Sequence, residues 1–269
     1  MKTAASLAAV FVASLIVSSC AFSPKEVREV REPGTGTVTG QMMTKGGVPM
    51  SGGIVFFFNE TSGPPPSSTR YWRVPTDAFR IDEKGKFTAV LAAGRYYMGA
   101  SRKFSGELLG PPQEGDLFFI SQDAKGSPKL HPVAMNETLD MGVISEAAPF
   151  SRAGYEKEGI TSVEGVVRDG RGNPVEGMLV FAFSTPTMVG RPLFVSDRTG
   201  KDGSYLLRLY DGGAYYLRAR LNYGGGPPSA DEVMGVYKDG KPLTLGTGEA
   251  RKGIDITVIR IGQDAQPRR

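Results

Sequence analysis

The sequence predicts an all-β protein: two tandem β-sandwiches, each of about seven strands, that follow an N-terminal export signal. The 269 residues include 36 glycines and 19 prolines, and aromatic and β-branched residues fall in short runs between them. Helical periodicity is hard to find. The second half of the chain also repeats the first, which indicates two copies of one domain.

The N-terminus is typical of an export signal. Lys2 precedes an apolar run over residues 4–17, and residues 17–20 read Val-Ser-Ser-Cys. The run is too short to span a bilayer comfortably, and a basic residue before it is typical of a cleaved signal peptide. We therefore predict a signal peptide over residues 1–19.

The Val-Ser-Ser-Cys tetrapeptide resembles the bacterial lipobox. The resemblance implies cleavage before Cys20, acylation of its thiol and a bacterial lipoprotein. Cys20 is the only cysteine, whereas an exported protein that uses disulfides carries pairs. The alternative is an ordinary secretory signal that leaves Cys20 as a thiol. Because Ala21 stands where an inner-membrane retention signal has Asp, the resemblance implies the outer membrane, on its periplasmic face or at the cell surface.

The internal repeat sets the predicted domains. Its first block aligns residues 39–58 with residues 164–183 without a gap. Later blocks align 84–87 with 202–205, 94–98 with 213–217, and 139–144 with 254–259. We predict a tether over 20–34, sandwiches over 35–146 and 161–262, a linker over 147–160 and a tail over 263–269. The strands predicted in the second copy are Ser162–Arg168, Met178–Ser184, Pro192–Asp197, Ser204–Leu209, Gly213–Leu221, Val233–Tyr237 and Ile254–Ile261.

The second copy also resembles a known family. Its residues Val163–Val167, the turn Asn173–Gly177, an apolar strand and the turn Gly200–Tyr205 are similar to the carboxypeptidase regulatory-like domain. The resemblance implies a transthyretin-like (prealbumin-like, Ig-like) sandwich in both copies, with a looser match in the first. It implies a fold and a role in folding, adhesion or docking, but no reaction.

Composition argues against catalysis and against cofactors. His131 is the only histidine, so a multi-histidine metal site is excluded. No Ser/His/Asp triad can be assigned around it, and no Gly-x-Ser-x-Gly motif occurs. Residues 197–202 lack the ligand count of a calcium loop, and the glycines at 224–226 lack a following Gly-Lys-Ser/Thr. The formal charge of +4 is spread over 32 basic and 28 acidic residues, which does not indicate a nucleic-acid partner. We expect no enzyme activity, no metal and no cofactor.

The candidate binding residues lie in the first copy. An insertion over residues 59–78 carries Tyr71, Trp72 and Arg73, and long aromatic loops on sandwiches often mediate recognition. The alternative is that the insertion folds back and caps the end of the sandwich. Phe57, whose counterpart is Ala182, is a second candidate for contact with the other domain or with a partner.

The expected function is therefore binding. We expect a membrane-anchored, non-catalytic envelope protein that binds or scaffolds another envelope protein through loops or strand edges. The alternative is a glycan-binding surface module in which Tyr71 and Trp72 stack on sugar.

Overall fold

The computed structural model describes residues 34–156 and 158–262, which belong to one compact unit. The predicted signal peptide, Cys20, nearly all of the tether and the C-terminal tail lie outside the described residues. The described part is all-β, as the sequence predicts, with three short 3₁₀ turns at Glu60–Ser62, Arg152–Gly154 and Tyr237–Gly240. It contains no helix long and apolar enough to cross a membrane.

The first domain contains eight strands. They are β1 (Thr35–Thr44), β2 (Ile54–Asn59), β3 (Asp77–Arg80), β4 (Lys86–Ala92), β5 (Gly94–Arg102), β6 (Leu117–Ile120), β7 (Leu130–Val133) and β8 (Thr138–Pro149).

The second domain contains nine strands. They are β9 (Thr161–Asp169), β10 (Leu179–Phe183), β11 (Phe194–Val195), β12 (Ser204–Leu209), β13 (Gly213–Arg220), β14 (Val233–Val236), β15 (Leu243–Leu245), β16 (Ala250–Arg251) and β17 (Ile256–Arg260). All seven strands predicted for this copy are present, and β15 and β16 are short additions.

The two domains share one topology. The strand order is β3-β2-β5-β6-β8-β1-β4 in the first and β11-β10-β13-β14-β17-β9-β12 in the second, strand for strand the same path. In both, the first strand pairs in parallel with the last. In the second domain the short strand β16 also pairs in parallel with β9, and the other ladders of both domains are antiparallel. Each sheet therefore curls into a sandwich whose two layers are joined at one edge.

The ladders fix the register of the repeat and correct its last block. Gly40 pairs with Phe87, as Gly165 pairs with Tyr205, which agrees with the sequence alignment. Met42, however, pairs with Ile144, whereas its counterpart Val167 pairs with Ile256. Ile144 therefore corresponds to Ile256 and not to Ile259. The sequence alignment was wrong by three residues over this block, since Leu139 pairs with Val38 as Arg251, and not Ile254, pairs with the counterpart Val163.

Strand patterning explains the two cores. Strand β4 alternates exposed and buried residues along its length, and β12 does the same, as expected for strands with one face towards water. Strands β2 and β10 are buried on both faces. Their inner side chains fill the sandwich cores, and their outer side chains form two further apolar clusters that loops and the insertion cover.

Two local features recur in both copies. The Tyr96 and Tyr215 hydroxyls each donate to the carbonyl oxygen four residues earlier, over 2.9 Å. Gly85 and Gly203 both have positive φ, and a Cβ on either would lie 2.5 Å from a backbone carbonyl oxygen. Glycine is therefore required at both turns, which is why the sequence repeats it.

The segment between the domains is shorter and more ordered than a linker. Strand β8 runs to Pro149, so it occupies the first residues of the predicted linker. Phe150 is buried, and Tyr155 is half-buried. The boundaries of the signal peptide, tether and tail remain predictions.

Candidate binding surfaces

The insertion of the first domain pairs with the second domain through one isolated β-bridge, and we call residues 72–74 the added strand. Arg73 pairs antiparallel with Phe194 of β11. On either side of this pair, the Val74 N–H donates to the Leu193 carbonyl over 2.9 Å, and the Val195 N–H donates to the Trp72 carbonyl over 3.1 Å. Residues 72–74 therefore cover the edge of the second sheet, which would otherwise present unpaired backbone groups.

The same stretch then returns to its own domain. The Thr76 N–H donates to the Phe57 carbonyl over 2.7 Å, and β3 follows along the edge of β2. The two domains thus meet at equivalent edges, β3 and β11, with one continuous segment paired to both. The insertion does fold back, and it contacts both sandwiches: Arg73 packs on Phe58 of its own domain and pairs with Phe194 of the second.

Tyr71 is part of the second domain's core. Its ring packs edge-to-face on Phe194 and on Tyr210, with centroids 5.4 and 5.5 Å apart. Its hydroxyl donates to the Pro65 carbonyl over 2.5 Å, and burial raises its pKa. With 5% of its surface exposed, Tyr71 offers no face on which a sugar could stack.

Trp72 lies in an aromatic cluster between the domains. Its ring contacts Phe118 of β6 and Phe150 at centroid distances of 5.7 and 5.6 Å, and Tyr155 at 6.2 Å. Arg208 of β12 stacks on the Tyr155 ring, 4.7 Å from its centroid. Sequence reasoning missed Phe118, Phe150 and Tyr155. Phe150 and Tyr155 lie in the predicted linker, and two aromatic residues there were the sign that this segment packs against the domains.

Arg73 holds the insertion in shape. Its guanidinium donates to the carbonyls of Pro64 and Asn59 over 2.5 and 2.6 Å and stacks on Phe58 at 5.3 Å. Burial lowers the pKa of Arg73 to about 10. These contacts use the donors of the Arg73 side chain, so its position does not support the prediction that it binds a ligand.

Phe57 lies within its own domain. It is 1% exposed and packs edge-to-face on Phe79 and Tyr96 in the first core. The expectation that it contacts the other domain or a partner was wrong, because its side of β2 faces the sandwich interior. The alternating pattern did not reveal this, since both faces of β2 are apolar.

Ion pairs complete the contact between the domains. Arg198 donates to Glu107 over 2.7 Å, and Arg152 donates to Asp197 over 2.8 Å. Burial raises the pKa of Asp197, and the positive charge of Arg152 offsets only part of this rise. For Glu107, burial is outweighed by Arg198 and Lys103, which hold its pKa below the ordinary value.

These contacts also explain the acidic loop over residues 197–202. Asp197 is paired with Arg152, the Thr199 hydroxyl donates to the Val175 carbonyl, and Asp202 caps its own turn by accepting from Ser204. Among the described residues, no group of three or more His, Cys, Asp or Glu side chains could hold a metal ion.

His131 occupies a core position. Its Nε2 lies 2.9 Å from the Ser121 hydroxyl, and burial, reinforced by Lys129, lowers its pKa. It pairs with Tyr96 as Leu243 pairs with Tyr215, so a leucine fills the same place in the second copy. A neutral, hydrogen-bonded histidine in a leucine position has a packing role.

A cleft of about 550 Å³ opens in the first domain between β6 and β8. The ladder that joins these strands contains two pairs, as does the equivalent ladder between β14 and β17. Phe119 lines the cleft and packs against the first core. The residue at the Phe119 position in the second domain is Gly235, where a Cβ would lie 2.0 Å from the Thr257 carbonyl oxygen. The second sandwich is therefore closed at Gly235, where the first domain has a phenylalanine side chain.

The cleft exposes apolar side chains and strand edges. Val143 of β8 is 65% exposed at its rim, next to Met141 and Ile144. Within the described residues, the edge of β8 that faces the cleft has no ladder partner before Ala148. Such an edge can accept an additional strand.

Comparisons with known proteins give distant likenesses. No protein-family model matches the sequence, and no curated protein matches it. Among solved structures, the Bacillus anthracis TIE protein is 12% identical with a TM-score of 0.26, over 84% of this chain and 34% of that one. A streptococcal ancillary pilin is 15% identical with a TM-score of 0.24, over 83% and 62%.

The shaft pilin SpaA from Lactobacillus rhamnosus GG is 11% identical with a TM-score of 0.23, over 87% of this chain and 100% of that one. The chain thus spans about a third of the TIE protein and less than two thirds of the ancillary pilin. Likenesses this weak support no conclusion about function.

Proposed function

We propose that this protein is a non-catalytic envelope lipoprotein, anchored in the outer membrane through acylated Cys20, that acts as a binding or scaffold module for another envelope protein. The observation that carries the proposal is the strand that residues 72–74 add to the second sandwich, because it joins two sandwiches into one continuous structure. A long-lived scaffold needs such a connection. The shared strand path supports membership of both domains in the carboxypeptidase regulatory-like class.

The anchor is tested by Cys20→Ala. Two or more acyl chains hold a protein stably at a membrane, so we expect the wild type in the membrane fraction and the variant in the soluble fraction after lysis. The melting temperature of both should agree, since Cys20 precedes the described domains. Retention of the variant in the membrane fraction would contradict lipid anchoring.

The partner-binding surface proposed here is the cleft between β6 and β8. An extended segment of the partner would pair with the open edge of β8 and place apolar side chains against Phe119 and Val143. We assign the binding role to the first domain, because Phe119 lines this cleft and its counterpart in the second domain is Gly235, where β14 and β17 lie close together.

A pull-down from detergent-solubilised envelope tests the surface. Val143→Glu places a charge at the exposed rim, and we expect it to reduce recovery of the co-purifying protein at least tenfold. Val90→Glu is the matched control, because Val90 is 56% exposed on β4, away from the cleft. Equal recovery by both variants would place the interaction elsewhere, and no specific protein above background would argue against the scaffold role itself.

The positions of Tyr71 and Trp72 do not favour the alternative of glycan binding. Of its two aromatic residues, Tyr71 is in a core and Trp72 is packed between the domains.

A further inference from the structure

A second cleft, of about 670 Å³, lies beside the second domain. Its walls are two loops, one around Met188–Arg191 and one around Tyr223–Pro228, and Val74 and Pro75 of the insertion contribute from the first domain. The loops approach each other through glycine backbone, since a Cβ on Gly225 would lie 1.7 Å from the Gly190 carbonyl oxygen. The volume is within the range of small-ligand sites.

The charged residues that line this cleft are both positive. Arg191 and Arg218 line it, and no acidic residue does. In the described chain neither arginine forms an ion pair; Arg218 donates to the Met188 carbonyl over 3.0 Å and Arg191 to that of Thr76. The Nε of Arg218 is buried and has no hydrogen-bond acceptor in the structure. A buried donor without an acceptor is costly, but this nitrogen has almost no surface that a ligand could reach. An anion in the cleft would instead accept from the terminal nitrogens of the two guanidinium groups.

Two charged side chains lie near Arg218. Burial lowers the pKa of Arg218, the charge of Arg220 adds to the effect, and the charge of Glu232 opposes it. Glu232 is bound to Arg220, whose guanidinium contacts both of its carboxylate oxygens over 2.8 Å. Arg218 itself stacks on the Phe183 ring, 5.4 Å from its centroid, and has no carboxylate partner among the described residues.

The other residues that line the cleft favour a ligand with an apolar chain. Apart from the two arginines and Tyr223, the side chains are aliphatic, thioether or proline, among them Leu109, Met188, Val189 and Pro228. Val189 is 79% exposed, the largest exposed fraction among the large apolar residues described. A peptide would bury amide groups here with few partners, at a cost in free energy, whereas an alkyl chain would not.

We infer that this cleft binds an amphiphilic anion, in which a carboxylate or phosphate head contacts Arg191 and Arg218 and an apolar chain lies against Leu109, Met188 and the proline-rich loop. The site is separate from the β6/β8 cleft, and its existence does not depend on the proposed scaffold role.

Photo-crosslinking on the full, membrane-anchored protein tests this site. The probes are diazirine-bearing analogues of decanoate, decyl phosphate and decanol, and labelled peptides are located by mass spectrometry. We expect the anionic probes to label the peptides that contain residues 186–191 and 223–228, and the decanol analogue to label them at least tenfold less. The relative labelling by the two anions identifies the preferred head group. Equal labelling by decanol, or labelling scattered over the surface, would overturn the inference.

Variants test the role of the arginines. Arg191→Gln and Arg218→Met should each reduce labelling by the anions at least fivefold, Arg218→Lys should retain most of it, and Arg171→Gln, in an exposed turn of the same domain, should not change it. If Arg218→Met lowers the melting temperature, Arg191→Gln decides alone, because Arg191 contacts only an exposed backbone carbonyl. Unchanged labelling of Arg191→Gln would overturn the assignment.

Discussion

The ion pair between Arg220 and Glu232 shows how single side chains organise the loops. Both side chains are at most 4% exposed, and their nitrogen and oxygen atoms are 2.8 Å apart. Arg220 also donates to the carbonyls of Gly224 and Gly226, and Glu232 accepts from the Ser229 N–H over 3.1 Å. The pair therefore fixes the glycine- and proline-rich loop against β13.

We predict that Glu232→Gln lowers the free energy of unfolding by about 3 kcal/mol, because it leaves the Arg220 charge buried without a counter-charge. Chemical denaturation at neutral pH measures this. Glu176→Gln is the control: Glu176 is exposed, and its substitution should change the stability by less than about 0.5 kcal/mol.

The pH dependence of the same pair follows from the direction of its pKa shift. Burial alone would raise the pKa of Glu232, but hydrogen bonds from Arg220 and Ser229 outweigh it and hold the pKa below the ordinary value. A lowered pKa stabilises the fold above the ordinary glutamate pKa of about 4.3, and this stability is lost as the pH falls through the folded-state value. The difference between wild type and Glu232→Gln should therefore shrink below about pH 4. A constant difference down to pH 2 would contradict the assignment.

At the residue scale, the sequence predicts packing roles better than partners. The acidic loop over residues 197–202 was interpreted as a turn between strands, and its observed hydrogen bonds are those of a turn. Tyr71, Arg73 and Phe57 were expected to be accessible and are buried. Burial of an aromatic side chain in a loop depends on which surface the loop meets, and one sequence does not contain that information.

At the scale of strands, the two domains differ at one position of their sheets. Gly235 allows β14 to lie directly against β17, whereas Phe119 at the same position lines the cleft between β6 and β8. The repeat and most strand bounds were predictable from spacing and turn residues. The added strand at 72–74 was not, because it is short, lacks an alternating pattern and pairs across a domain boundary.

We predict that Gly235→Ala lowers the free energy of unfolding by about 1–3 kcal/mol, the usual cost of overpacking. The new Cβ would lie 2.0 Å from the Thr257 carbonyl oxygen, so β14 must move away from β17. Gly170→Ala is the matched control, since no heavy atom lies within 4 Å of a Cβ there and its φ is not positive. Denaturant midpoints compare the two. Equal stability of both variants would show that the second sandwich is not closed at this point.

The strand added by the insertion gives a second prediction at this scale. Val74→Pro removes the N–H that donates to Leu193 and leaves that carbonyl without its partner, at a cost of about 1–3 kcal/mol. Val74→Ala is the control, because it keeps the hydrogen bond and measures the effect of losing the valine side chain alone. Hydrogen exchange should show faster exchange of the Val195 N–H in Val74→Pro only. Unaltered exchange at Val195 would mean that residues 72–74 do not protect this edge.

At the scale of the whole molecule, the joined edges make the two sandwiches interdependent. The Trp72 cluster, the added strand and the Arg198–Glu107 and Arg152–Asp197 pairs all connect one domain to the other. The sequence indicated two domains and a linker, which is typical of independent modules. The contacts instead favour cooperative unfolding, because either domain would lose buried aromatic surface if the other unfolded.

We predict a single thermal transition for the wild type, in which the fluorescence of Trp72, the only tryptophan, coincides with far-UV circular dichroism. Phe150→Ala removes a ring that packs on both Trp72 and Phe118, and we expect a loss of about 3–5 kcal/mol together with two separated transitions. Phe104→Ala, at a phenylalanine that is 64% exposed, should leave one transition at nearly the wild-type temperature. Two unfolding steps in the wild type, with Trp72 fluorescence changing in only one of them, would contradict this prediction. The domains would then unfold independently, and the aromatic cluster would stabilise only one of them.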